Sequence, residues 1–132
     1  MAYSLDISDD GLVRVRHNGD VDRDALWRAC LEAADLVTAG KARGVLMSFH
    51  HATVAIDLTG LYELSEDNCD RMPPGTRMAV VCGARCDGQL RRFVEDVHAN
   101  RGGLLRTFDR PGEAVRWLRE GRGAGRPDGA AV

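Results

Sequence analysis

The chain has 132 residues, 44% of them hydrophobic and 29% charged, and 20 acidic residues against 18 basic give a formal charge of −2. That length suits one domain with a core large enough to need no disulfide or metal staple. The near-neutral balance, with basic residues scattered along the chain, argues against a general binder of nucleic acid or anionic membranes.

Tyr3, Leu5 and Ile7 alternate with polar residues, Asp9-Asp10-Gly11 supplies turn chemistry, and Leu12, Val13 and Val15 begin a second strand. This pattern predicts a β-hairpin. After Asn18-Gly19 the period becomes helical, with Asp20 or Asp22 as cap, Leu26, Trp27, Cys30, Leu31, Ala34 and Val37 on the apolar face, and Gly40 at the end. Val45, Leu46, Met47 and Phe49 form an apolar run of strand length, consistent with a central strand buried on both faces. Residues 50 to 56 read as a loop.

Asp57 is placed to cap a second helix with Leu58, Leu61, Tyr62 and Leu64 on its apolar face, and Pro73-Pro74-Gly75 forces a break beyond it. Met78 to Val81 is the clearest strand, followed by a helix capped by Asp87 and carrying Leu90, Phe93, Val94 and Val97. Leu104, Leu105 and Phe108 belong to a last strand. A final helix, capped by Asp109, tolerates Pro111 in its first turn and presents Ala114, Val115, Trp117 and Leu118 to the core. The order β-β-α-β-α-β-α-β-α predicts an α/β fold: a mixed, mostly parallel five-stranded sheet, an N-terminal hairpin and about four helices. Residues 1–120 form the domain, and residues 121–132, rich in Gly, Arg, Pro and Ala, are expected to be a disordered tail.

The start of the chain shows no basic segment followed by an apolar stretch, and no apolar run reaches bilayer length, so a cytoplasmic protein without membrane insertion is expected. Its four cysteines, Cys30, Cys69, Cys82 and Cys86, should then remain reduced.

No catalytic constellation and no cofactor fingerprint is legible. His50 and His51 follow the third strand, at the end where ligands gather in open parallel sheets. With the cysteines they hint at zinc, but Cys82 and Cys86 are separated by three residues and lack a second ligand pair, so no metal site is assigned. Cys86, beside Arg85 at a helix start, is the cysteine best placed for a thiolate. Gly83 and Gly88 bracket the same turn, but their spacing fits neither a P-loop nor a dinucleotide fingerprint. Cys30 reads as core, and Trp27 and Trp117 read as core or homodimer packing.

Residues 44 to 64, and above all Asp57-Leu58-Thr59-Gly60-Leu61, resemble the middle of the sulfate-transporter and anti-sigma-antagonist (STAS) superfamily, where a buried strand leads into an Asp-Ser-Ser/Thr-Gly-Leu loop that opens a helix. Gly19-Asp20-Val21-Asp22, Met78-Ala79-Val80-Val81 and the closing stretch from Phe108 to Leu118 add weaker agreement, nearer to the small bacterial STAS/SEC14-like proteins. The resemblance implies a SpoIIAA-like fold and a non-catalytic regulatory module that binds a protein partner or small ligand. Alternatives are a SEC14-like carrier of a small apolar or anionic ligand, and a redox sensor or enzyme built on Cys86 and a nearby histidine. The regulated hydroxyl of the anti-sigma antagonists falls here at Leu58, which cannot accept phosphate; Thr59, one residue on, can. His50, His51, Asp57, Thr59, Gly60, Gly83 and Cys86 are therefore the candidate binding residues.

Overall fold

The computed structural model describes residues 3–83 and 87–124. In chain order it contains β1 (Tyr3–Ile7), β2 (Leu12–Val21), α1 (Arg23–Thr38), β3 (Gly44–Val54), α2 (Leu58–Arg71), β4 (Arg77–Val81), α3 (Gly88–Asn100), β5 (Leu104–Phe108) and α4 (Pro111–Ala124). The five strands lie side by side in sequence order. Only β1 and β2 pair antiparallel, through the turn at Gly11 (φ +81°); β2–β3, β3–β4 and β4–β5 are parallel, with β4 and β5 in register from Arg77–Leu104 to Val81–Phe108.

This order decides where the helices go. Each parallel connection steps one strand in the same direction, and a right-handed crossover then places every connecting helix on the same face. Accordingly α1, α2 and α3 form one layer, in which Leu26, Ala29, Ala33, Leu61 and Leu64 pack on Val13, Val15, Val45, Met47 and Met78. No crossover binds α4, and it covers the other face, where Ala114 and Leu118 meet Leu12, Leu46, Ala79 and Val81. The alternation of strand side chains supplies both cores from one sheet. Arg77 fastens α4 by donating to the Trp117 carbonyl at 2.8 Å with its guanidinium 4.7 Å from the indole centre, and Arg119 reaches Asp10 at 3.0 Å.

Several expectations need correction or refinement. Residues 50–54 are strand rather than loop, and Asn18–Val21 continue β2, because the pair extends beyond a bulge in which Phe49 and His50 oppose the single residue His17. Past it, Asn18 pairs with His51 and Val21 with Val54, while Gly19 takes φ +68°. Nonlocal pairing here overrides the turn preference of Asn-Gly. Asp22, not Asp20, caps α1, accepting from the Ala25 N–H at 2.9 Å. Asp109 does not cap α4: the first helical bond runs from Ala114 N to Arg110 O, and the Asp109 carboxylate pairs with Arg91 at 2.7 Å. Helix α4 also continues to Ala124, past the expected boundary at Gly121; the remainder of the expected tail lies outside the described residues.

The bulge buries His17, 1% exposed, its ring stacked on Phe49 at 4.6 Å and 3°. Neither ring nitrogen has a hydrogen-bond partner among the described residues, and burial pushes the imidazole down to about 4 from 6.5. Because the folded value is depressed, the unfolded chain takes up the proton first as pH falls. Stability is therefore lost between about pH 6.5 and pH 4, and this residue alone should cost about 2 kcal/mol between pH 7 and pH 5. Urea unfolding at the two pH values is expected to show that loss, with the difference between wild type and His17→Phe isolating it; equal pH dependence in both proteins would refute the assignment.

Candidate functional site

The C-terminal ends of β2, β3, β4 and β5 each lead into a helix, so the four helix starts share one edge of the sheet. Three of them are capped by an aspartate of the preceding connection, Asp22, Asp57 and Asp87, whose carboxylates satisfy N–H groups that the helix leaves unpaired. Along this edge the structure places the candidate residues in two groups.

The first group gathers at the β3 bulge. His50 and His51 are exposed strand residues, their rings edge to face at 4.7 Å. Gly83, just past β4, lies against them so closely that a β-carbon there would stand 3.0 Å from the His50 carbonyl oxygen. A side chain at Gly83 would force its backbone away from His50. Cys86 lies outside the described residues, so its pairing with a histidine is not established.

The second group is the start of α2. The Asp57 carboxylate accepts from the Gly60 N–H at 2.7 Å, and its carbonyl accepts from Leu61 N at 2.9 Å. Gly60 is buried at the closest point of this turn: a β-carbon there would lie 2.9 Å from Ile56 Cγ2 and 3.0 Å from Asp57 Oδ1. Thr59 is exposed, and the neighbouring α1 start is tied in by Arg23–Glu63 at 2.7 Å.

Leu58 and Tyr62 depart from the expected apolar face. The inward row of α2 is Leu61, Leu64, Ser65 and Asn68, whereas Leu58 and Tyr62, one turn apart, are 58% and 43% exposed. Sequence reasoning missed them because every apolar residue of a short helix reads as core; the row at 61, 64, 65 and 68 is the signal that leaves them outside. Trp27, expected in the core or in dimer packing, is not in the core of the single chain: it is 40% exposed and donates to Asp67 at 3.1 Å.

Beneath α2 and α3 lies a cavity of about 100 Å³, bounded by Met47 and Phe49 of β3, Met78 and Val80 of β4, Leu61, Leu64 and Asn68 of α2, and Val94 and His98 of α3. Cys30 also borders it, its thiol pushed up to about 12 mainly by burial, and burial likewise raises Cys69. Neither favours a thiolate. Among the described residues no three His, Cys, Asp or Glu side chains gather as metal ligands, and no helix is long and apolar enough to cross a membrane.

No protein-family model and no curated protein matches the chain. Solved structures do. The anti-sigma factor antagonist SpoIIAA in its unphosphorylated form is 15% identical, with a TM-score of 0.61 over 89% of this chain and 98% of that one. An anti-sigma factor antagonist from Mycobacterium paratuberculosis is 16% identical, with a TM-score of 0.58 over 89% and 92%. An uncharacterized DUF3478-family protein with a SpoIIAA-like fold from Shewanella loihica PV-4 is 14% identical, with a TM-score of 0.55 over 89% and 92%. The chain has the STAS-type, SpoIIAA-like fold.

The cap geometry makes two stability predictions. Asp57→Ala should cost about 0.5–2 kcal/mol in denaturant unfolding, the range for loss of an N-cap. Gly60→Ala, normally favourable by about 1 kcal/mol inside a helix, should instead destabilise, because Ile56 and the Asp57 carboxylate occupy the space. A stabilising Gly60→Ala would show that the turn relaxes freely and that Asp57 does not fix it.

Proposed function

We propose that this chain is a non-catalytic regulatory module that captures a protein partner through the first turns of α2, with the β3 bulge as the adjoining surface. The observation that carries this reading is the exposure of Leu58 and Tyr62, one helical turn apart, directly after the rigid Asp57–Gly60 cap. A leucine and a tyrosine ring held on a capped helix start offer contact area at small ordering cost. The SpoIIAA-like fold supports the same reading, since two of the similar structures are anti-sigma factor antagonists and SpoIIAA was solved in both unphosphorylated and phosphorylated forms. His50, His51, Gly83 and Thr59 would form the rim of the surface, and Asp57 and Gly60 would hold its shape.

Leu58 stands where the resemblance puts the regulated hydroxyl, so the module is read as constitutively competent to bind. A phosphate cannot form at Leu58, and apolar contact takes its place. The carrier reading is weaker: about 100 Å³ falls below the roughly 300–1,000 Å³ usual for ligand pockets. The cysteine reading gains nothing from Cys30 or Cys69, where burial disfavours the thiolate.

Leu58→Asp replaces an exposed side chain, so its melting temperature should stay within about 2 °C of wild type. Capture of the partner from extract of the native host should nevertheless weaken by about tenfold or more, the effect of removing a buried apolar anchor. Unchanged capture would remove α2 from the interface. Peptide mass spectrometry of protein purified from that host is expected to find Thr59 unmodified. Stoichiometric phosphate at Thr59, lost in Thr59→Val, would replace the constitutive reading with a phosphoswitch.

A further inference from the structure

The two edges of the sheet are finished differently. At the β5 edge the Phe108 carbonyl turns toward β4, where it accepts from Cys82 N at 2.8 Å, so the alternate residues Leu105 and Thr107 turn their backbone groups outward. The outward Thr107 N–H is already taken. It donates to Glu95 Oε2 at 2.8 Å, the Thr107 hydroxyl donates to the same oxygen at 2.8 Å, and Arg91 donates to that hydroxyl at 3.0 Å. A carboxylate held in this way keeps a further strand from pairing there.

The β1 edge has no such guard among the described residues. Ser8 N, one residue past the strand, donates to Leu12 O at 2.9 Å, and this fixes the alternation along the hairpin. Ser4 and Asp6 bond toward β2, opposite Arg16 and Arg14, whereas Tyr3, Leu5 and Ile7 present N–H and C=O groups to the open side. No side chain or further strand meets those groups among the described residues. The strand contains neither proline nor lysine, and Ile7 is 41% exposed. Sheet edges are ordinarily protected from pairing by such residues or by cover.

We infer that β1 is the seam of a weak, twofold-symmetric homodimer, in which two copies of the strand pair antiparallel about Leu5 and join their sheets. The choice of a second copy rests on self-complementarity. With the axis at Leu5, that residue exchanges both backbone hydrogen bonds with Leu5 of the second copy, and Tyr3 and Ile7 exchange theirs with Ile7 and Tyr3. On the helix-layer face, where Tyr3 and Leu5 already pack on the core, the exposed Ile7 then lies opposite the Tyr3 ring of the second copy. On the other face Ser4 stands opposite Asp6, so no like charges meet. An axis at Asp6 would use the same outward groups but would set two carboxylates against each other. A seam of two five-residue strands falls at the small end of interface sizes, below about 1,200 Å², so the dimer is reversible.

Sedimentation equilibrium of the full chain from about 10 µM to 1 mM should show reversible passage from monomer to dimer, as suits so small an interface. Ile7→Lys places a charge at an exposed position of the seam; it should weaken the dimer about tenfold or more while melting within about 2 °C of wild type. An equimolar mixture of Ser4→Cys and Asp6→Cys chains, mildly oxidised, should form a disulfide between positions 4 and 6, because a directly opposed, non-hydrogen-bonded pair has its Cα atoms about 4.5 Å apart. Either variant alone should give about tenfold less, since its two copies of the substituted site lie diagonal at about 7–8 Å. Peptide mass spectrometry distinguishes that link from any made by the native cysteines. A monomer mass throughout the range, with no link between positions 4 and 6, would overturn the dimer. Equal yields from the mixture and from the single variants would overturn the register. Neither result depends on partner capture through Leu58.

Discussion

The molecule is organised by the handedness of its crossovers. Because β2, β3, β4 and β5 are laid down in spatial sequence, each right-handed connection returns over the same face, and α1, α2 and α3 have no alternative to forming one layer. The central strands must then be apolar on both sides, since α4 closes the other face. Val45 to Met47 and Met78 to Val81 meet that requirement. The same winding brings every helix start to one edge of the sheet. The proposed partner surface lies at that edge.

Rigidity comes from short polar contacts more than from further apolar burial. Asp57 holds the start of α2 through the Gly60 amide, and the absence of a side chain at Gly60 lets the carboxylate approach. Gly83, just past β4, brings its backbone against His50. The long β2–β3 ribbon gains its extra pairs through the bulge, at the cost of burying His17 without hydrogen-bond partners among the described residues. Leu58 and Tyr62 are consequently displayed on a helix start whose position is set from both sides.

Much of the fold is legible in the sequence because its signals are local. Strand β4 is an apolar run bounded by Pro73-Pro74-Gly75 and Gly83, and the caps at Asp57 and Asp87 stand immediately before helical periods. What escapes depends on residues distant in the chain. The outer halves of β2 and β3 are polar, and Asn18-Gly19 imitates a turn, so only their mutual pairing reveals them as strand. Asp109 looks like a cap until Arg91, eighteen residues earlier, claims its carboxylate. Nothing local in the sequence marks Asn68 or His98 as buried, and they become a buried pair only once α2 and α3 are packed together. The Asp57–Leu61 stretch was visible as a motif, but that Leu58 and Tyr62 face outward required the packed layer.

The central claim is that α2 presents this chain's partner surface. In-cell photo-crosslinking in the native host, with a benzophenone side chain replacing Leu58, Tyr62 or, on the opposite face of the sheet, Glu113, tests it most directly. The account predicts one adduct of the same mass from the first two positions and none from the third. An adduct from the Glu113 position alone, or none from α2, would contradict it.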